Sequence, residues 1–218
     1  MTAERGLAVF DLDGTISRRD TFMPFVLRGL ARRPLRWWRP VLLLPTLLAY
    51  VCGQADRGRL KGMLLHVTLG GLPRTTIETL ASAHAHGLRH RGLFGMALQR
   101  IRWHRDAGHY LVLMSASADC YVAALGRQLG FDETICSRVR WNDDDTLDGR
   151  LATPNCRGEE KVRQLGLLRQ RMPFGESWAY GNSRADLPHL RLVTHGVYVN
   201  GGPHGLPDAA HVQTVLWQ

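Results

Sequence analysis

The sequence has little cysteine, and none of it falls in a pattern. Cys52, Cys120, Cys136 and Cys156 are scattered along 218 residues without a C-x-x-C pair. That spacing argues against a disulfide framework and a structural zinc site, and it suits a reducing compartment. Acidic residues are the minority charge: 19 Asp and Glu against 28 Lys and Arg leave a formal net charge of +9. Such a balance favours anionic partners, whether phosphorylated metabolites, acidic lipid surfaces or nucleic acid. Aromatic residues do not interleave with the arginine-rich stretches as a base-stacking platform requires, so no nucleic-acid partner is expected. Internal repeats and low-complexity tracts are missing, which excludes solenoid and disordered classes. No apolar run is long enough to cross a bilayer, because the uncharged stretch from Pro40 to Ala55 falls short of the roughly eighteen to twenty residues needed and Pro45 interrupts it. Met1 to Arg5 lead directly into the first apolar run, which leaves no room for the apolar core of a signal peptide; a cytoplasmic protein is expected.

With 44% hydrophobic residues, the chain can bury one sizeable core and an inserted smaller unit. Its most informative stretch is Asp11-Leu12-Asp13-Gly14-Thr15, which follows the apolar run Gly6 to Phe10. Side chains alternate along an extended segment, so Asp11 and Asp13 share a side while Leu12 points into the core. Two carboxylates this close repel unless a hard cation neutralises them, and Mg²⁺ is held by one or two carboxylates, waters and phosphate oxygens. Gly14 permits a sharp turn and a close approach to a ligand, and Thr15 can hydrogen-bond within that turn. The local reading is a metal and phosphate site, with an ordinary Asp-Gly turn as its rival.

The rest of the chain alternates strands and helices. Asp20 is a candidate N-cap for a helix through Leu30, and Leu35–Tyr50, Arg59–Leu69 and Pro73–His86 read as further helices of an insert. A helix over Gly92–Ala107 feeds a strand, Tyr110–Met114, that ends at Ser115-Ala116-Ser117 before a helix over Asp119–Leu129. Thr134–Leu151 reads as a hairpin pair and Glu159–Arg171 as a helix. Trp178–Tyr180 is a short strand running into Gly181-Asn182-Ser183-Arg184-Ala185-Asp186, a short helix carries on through Leu190, and Val197–Val199 is the last strand. This order predicts an α/β fold, a doubly wound and mostly parallel sheet with an inserted helical cap. The core takes residues 1–17 and 92–218 and the cap takes 18–91.

Three later features gain meaning beside the first. The Ser115 hydroxyl and the Ala116 amide, near a helix start, can both donate to an anion. Lys161, early in its helix, can reach a phosphoryl group and offset its charge. Asn182 and Asp186, on a strand-end turn, offer oxygen ligands to a cation. Each is ordinary alone, as a cap, a solvated lysine or a turn. Their joint occurrence at successive strand ends and helix starts is not.

In these four motifs, DLDGT, LMSAS, GEEK and GNSRAD, the chain resembles the haloacid dehalogenase superfamily of aspartate-nucleophile phosphatases, and its helical insert resembles the cap of the phosphoserine-phosphatase-like branch. The resemblance implies a Rossmann-like core and names roles. Asp11 attacks phosphorus to form an aspartyl-phosphate, and Asp13 protonates the leaving oxygen and then activates water. Ser115 and Lys161 hold the phosphoryl oxygens. Mg²⁺ is held by the Asp11 carboxylate, the Asp13 main-chain carbonyl and the Asn182 side chain, with Asp186 acting through water or behind those ligands. Many members carry Asp where this chain has Asn182, so weaker metal affinity is expected.

The insert bears on the substrate. Arg32-Arg33-Pro34-Leu35-Arg36-Trp37-Trp38-Arg39-Pro40 precedes an uncharged apolar stretch, the order a membrane-interface segment needs. It also resembles the caps of phosphatidylglycerophosphatase C-like members. A phospholipid phosphate is therefore the expected substrate, with peripheral contact to the inner membrane face through residues 35–52. The alternative is that Leu42, Leu43, Leu47 and Leu48 form the buried face of a small cap, on a soluble phosphatase for a metabolite such as phosphoserine. A third is a catalytically silent basic binding protein. Asp20 can either cap its helix or face the site and receive a polar head group. His84, His86 and His90 lack a carboxylate or cysteine companion and read as polar cap surface rather than a metal site.

Overall fold

The computed structural model describes residues 5–201 and 212–217. At its centre, β1 (Leu7–Phe10) is fully buried. It pairs in parallel with β2 (Tyr110–Ala118) on one side and β6 (Ser177–Gly181) on the other. Outward from these lie β3 (Glu133–Ser137) beside β2, then β7 (His195–Val199) and β8 (Val212–Val215) beyond β6, all parallel, giving the order β3-β2-β1-β6-β7-β8. A run such as Leu7-Ala8-Val9-Phe10 suits this place because a parallel strand is covered on both faces. Ala8 and Phe10 face one core with Leu113, Tyr121 and Leu125; Leu7 and Val9 face the other with Met114, Leu165 and Leu190. The doubly wound α/β architecture is as expected, and every strand pair in the large sheet is parallel.

The helices are α1 (Phe22–Ala31), α2 (Leu44–Val51), α3 (Arg57–Leu69), α4 (Arg74–Arg91), α5 (Gly95–Asp106), α6 (Asp119–Leu129), α7 (Glu159–Arg171) and α8 (Leu187–Leu190). The chain leaves the sheet and returns to it through a paired neck. Ser17 bridges Leu93 in antiparallel fashion, Arg18 N–H donates to Gly92 O (2.8 Å), and Phe94 N–H donates to Ile16 O (2.9 Å). The regular elements between are all helices, and α4 lies against α6 of the core.

Four expectations need correction. Leu35–Tyr50 is not one helix but two 3₁₀ turns, Pro34–Arg36 and Arg39–Leu43, followed by α2. Each piece carries a proline in its first turn, where the missing N–H costs nothing; the same residue cannot continue a preceding helix. Thr134–Leu151 is not a single hairpin: β3 joins the large sheet, and the antiparallel pair is β4 (Val139–Trp141) with β5 (Leu147–Leu151). Val197–Val199 is not the last strand, because β8 adds an edge beyond it. Its short, half-exposed Val-Gln-Thr-Val pattern carries little apolar signal. Finally, His84 is not cap surface. It is 3% exposed and its Nε2 lies 3.0 Å from Thr21 O, whereas His86 and His90 are exposed and lie 3.1 Å apart, Nε2 to Nε2.

The segment from Pro34 to Val51 buries none of its residues. Its half-buried positions are Arg36, Arg39, Pro40, Leu43, Thr46, Ala49 and Tyr50, and the positions between them are exposed. Leu42, Leu47 and Leu48 therefore do not form a buried face; of the four leucines only Leu43 turns partly inward. No described helix is long and apolar enough to cross a membrane.

Candidate active site

Asp11 leaves the sheet at the carboxyl end of β1 with its N–H still donating to Tyr180 O (2.9 Å). The chain then folds back tightly. Ile16 and Ser17 N–H both donate to Leu12 O, and Gly14 N–H donates to Ser17 O, each at 2.9 Å. Gly14 has φ +82°, and a Cβ there would lie 2.0 Å from Asn182 Nδ2. Only glycine lets this turn close against the end of β6. Carboxyl ends of parallel strands are where open α/β sheets bind ligands, and a cavity of about 350 Å³ opens there.

Lys161, in the first turn of α7, is 2% exposed. Its Nζ donates to Asp11 Oδ1 (2.6 Å) and to Asp186 Oδ1 (2.7 Å). Burial would strip its proton, but the two carboxylates outweigh that and raise its pKa. Burial also pushes Asp186 up, yet Lys161, helped by the Ser183 hydroxyl, overcomes it and holds the group below the usual carboxylate range. Asp11 goes the other way. Burial dominates, Lys161 only partly offsets it, and repulsion from Asp186 adds to it, so its pKa is raised. One ammonium is shared between two buried carboxylates and cannot neutralise both.

Asp13 has a different environment. Its Oδ1 accepts from Thr21 N–H (2.8 Å) and Thr21 Oγ1 (2.7 Å), and its Oδ2 accepts from Ser117 Oγ (2.8 Å). Tyr121 OH lies 2.9 Å from Thr21 Oγ1. Burial raises the pKa of Asp13, and these neutral donors only partly restrain it. The two carboxylates of one pentapeptide thus meet a cation and a set of hydroxyls, respectively.

Asp11, Asp13, Ser115, Ala116, Lys161, Asn182 and Asp186 all line the one cavity, as does Asp20. Asp20 also accepts Met23 N–H at 2.8 Å, so it caps α1 and faces the site at once. Gly14 and Thr15 are not among the lining residues. Thr15 is fully buried, and its hydroxyl donates to Asp11 Oδ2 at 3.3 Å. Ser115 does not sit at a helix start, because β2 runs on to Ala118 through a register shift and α6 begins only at Asp119. Its Oγ accepts Ser117 N–H at 3.1 Å. The Ala116 carbonyl accepts from Lys61 Nζ (2.5 Å) and Ser137 Oγ (2.8 Å).

Sequence reasoning missed Thr21, Ser117 and the far wall, where Arg57 and Lys61 of α3 meet Arg157 and Asn155. One signal was available. The chain contains only two lysines, Lys61 and Lys161, and both line this cavity. Burial lowers the pKa of Lys61, although Asp13 and Asp20 oppose it.

The comparison with known families now has a geometry to meet. The haloacid dehalogenase-like hydrolase model matches residues 8–191, from β1 through α8. The chain belongs to the haloacid dehalogenase-like hydrolases. Among relatives of this family, Protein CicA of Caulobacter vibrioides is 35% identical over 207 residues, covering 91% of this chain and 89% of its own. A probable phosphatase of Mycobacterium tuberculosis is 28% identical, covering 90% and 69%. A Bordetella pertussis protein of unknown function superposes with a TM-score of 0.76 at 22% identity, covering 92% of each chain. A substrate-bound phosphoserine phosphatase superposes at 0.62 and 14%, covering 93% and 89%. The fold is therefore that of the phosphoserine-phosphatase-like hydrolases.

Hydrolases of this family imply a divalent cation, and the donors present fit one. Asp11, Asp13, Asn182 and Asp186 put only oxygen-bearing groups and no thiolate or imidazole at one end of the cavity, the ligand chemistry of a hard cation. Burial raises the pKa of both Asp11 and Asp13, and Lys161 offsets it in part at Asp11. Among the described residues no group of three or more His, Cys, Asp or Glu side chains is placed to hold a metal ion by itself.

Proposed function

We propose that this hydrolase is a Mg²⁺-dependent phosphomonoesterase that works through an aspartyl-phosphate on Asp11. The observation that carries this reading is the contrast between the two carboxyls. Asp11 is aligned by Lys161 and Thr15 at the cavity floor, and Asp13 is held by neutral hydroxyls on its wall. In the first step an Asp11 oxygen bonds to phosphorus as the phosphorus–oxygen bond to the alcohol breaks. Asp13, whose raised pKa favours carrying a proton, delivers it to the departing oxygen. In the second, Asp13 takes a proton from water as that oxygen attacks phosphorus, and the bond to Asp11 breaks to release phosphate. Lys161 offsets the charge on Asp11 throughout, and Ser115 and Lys161 hold phosphoryl oxygens. The Asp11 carboxylate, Asp13 carbonyl and Asn182 amide oxygen would hold Mg²⁺, with Asp186 behind them. When bound, the metal supplies charge neutralisation at the phosphoryl oxygens.

For the substrate we infer a phospholipid phosphate, of the phosphatidylglycerophosphate kind, met from the cytoplasmic side of the membrane. Supporting it are the cations of the far wall, Arg57, Lys61 and Arg157, which suit an alcohol bearing its own anionic group. Asp20, which lines the same cavity, favours a second reading, a soluble ester with an ammonium group such as phosphoserine. Phosphate release from matched lipid and soluble esters, with Mg²⁺ and with chelator, separates them. Faster turnover of the lipid supports the first, faster turnover of phosphoserine the second, and no metal-dependent release from any ester overturns both.

A further inference from the structure

In an ordinary surface helix, polar residues face water and apolar residues face the protein. Between Pro34 and Val51 this order is not kept. The half-buried row mixes Arg36, Arg39 and Thr46 with Leu43, Ala49 and Tyr50, while the rows turned to solvent hold Leu35, Trp38, Leu42, Leu44, Leu48 and Val51. Leu35 is 89% exposed, Val51 75% and Leu48 65%. Scattered apolar residues on a surface need no explanation, but a contiguous set of this size marks a binding face.

The charge around that face selects its partner. Residues 21–55 contain no Asp or Glu, while Arg28, Arg32, Arg33, Arg36 and Arg39 flank the apolar rows. Among the described residues none of these arginines forms a salt bridge with a carboxylate; Arg28 donates to Ala83 O, and Arg33 and Arg36 donate to Gly70 O. Apolar side chains, a tryptophan pair and uncompensated cations together match the hydrocarbon edge, interface and head groups of an anionic bilayer. The inward side of the same segment borders the chemistry. Thr46 of α2 lines a second cavity of about 600 Å³ with Arg59, Met63 and Arg150, and Asn155 lines both this cavity and the catalytic one.

We propose that the outer face of residues 34–51 is a monotopic membrane-binding surface that seats the cap on an anionic lipid leaflet, with the second cavity between that leaflet and the catalytic cavity. The placement deepens the phospholipid reading but stands on surface residues that take no part in hydrolysis.

The test is flotation of the full chain with vesicles of 30% phosphatidylglycerol in phosphatidylcholine and with vesicles of phosphatidylcholine alone, beside the variant Leu42→Glu/Leu48→Glu. Most of the parent floats with the anionic vesicles, less with the neutral ones, and added salt weakens binding. The variant loses at least about tenfold in bound fraction, with an unchanged thermal melt as the control for folding. An environment-sensitive dye on the exposed Cys52 shifts to the blue with anionic vesicles and less with neutral ones. A parent that stays at the bottom of the gradient overturns the proposal. If it also sediments as a dimer that the variant dissociates, the face belongs to a second copy. Equal binding of parent and variant overturns it as well. Flotation without lipid hydrolysis leaves the surface standing and removes only the substrate.

Discussion

The floor of the cavity and the outer face of the cap break the ordinary rule of burial in opposite directions. At the floor, Asp11, Asp186 and Lys161 are nearly sealed from water, where charge is costly unless paired. On the cap, leucine and tryptophan stand in water with arginine turned partly inward. The floor repays its cost through geometry: two contacts of 2.6 and 2.7 Å fix an ammonium between two carboxylates. Among the described residues nothing covers the cap's exposed leucines and tryptophans. An arrangement satisfied from inside is machinery, and one left unsatisfied needs a partner from outside.

That contrast can be broken most sharply at the floor. Asp11→Asn is expected to cut phosphate release by at least about 10⁴-fold in a steady-state assay, while far-ultraviolet circular dichroism stays unchanged; retained turnover would remove Asp11 as nucleophile. Lys161→Met leaves two buried carboxylates without a cation, and urea unfolding at neutral pH is expected to show a loss of about 3–5 kcal/mol. Because Lys161 depresses Asp186, the stabilisation from that carboxylate is complete above its unfolded value and disappears as pH falls through its lower folded value. Parent and variant therefore converge in acid.

Two buried histidines give an effect of middle size. Burial, with Lys161 nearby, pulls His189 down to about 3, and both of its ring nitrogens lack hydrogen-bond partners. Burial, with His109 beside it, pulls His104 down to about 3 as well. In the unfolded chain both take up protons near pH 6.5, so stability falls as pH drops from there toward 3, by about 1.4 kcal/mol per unit for each. Denaturant midpoints at pH 7 and 5 measure this, and His189→Asn should flatten the slope. Smaller still, Asn182→Asp adds a charge to the cation site and should lower the Mg²⁺ concentration for half-maximal activity by about tenfold. Least of all, Leu42→Glu/Leu48→Glu should alter unfolding by no more than about 0.5 kcal/mol. A larger loss would mean that the exposed face supports the fold, and the contrast with the floor would collapse.

The floor was legible because its residues lie at strand ends that periodicity alone locates. Asp11 follows an apolar run, Asn182 ends another, and Lys161 opens a helix. Thr21 and Ser117 were not, since nothing local says that one hydroxyl from the cap and one from β2 will meet on Asp13. Arg57 and Lys61 were hidden for a similar reason: they reach the site from a helix whose placement depends on the whole insert. The cap segment was half legible. Its composition showed an apolar segment flanked by arginines, but the prolines that break it into three pieces act through missing N–H groups that an apolar pattern does not register.

The neck at Ser17 and Leu93 sets how this molecule can change. Its two strands lie within a hydrogen bond of each other, Arg18 N–H to Gly92 O at 2.8 Å, so the core meets the insert as a pair of adjacent ends whatever the insert contains. Lengthening or rebuilding what lies between adds only a slowly growing loop-closure cost and leaves the register of β1 with β2 and β6 untouched. Reaction and address can therefore be inherited separately: a lineage could trade the exposed apolar segment for another surface while keeping the same phosphorus chemistry underneath.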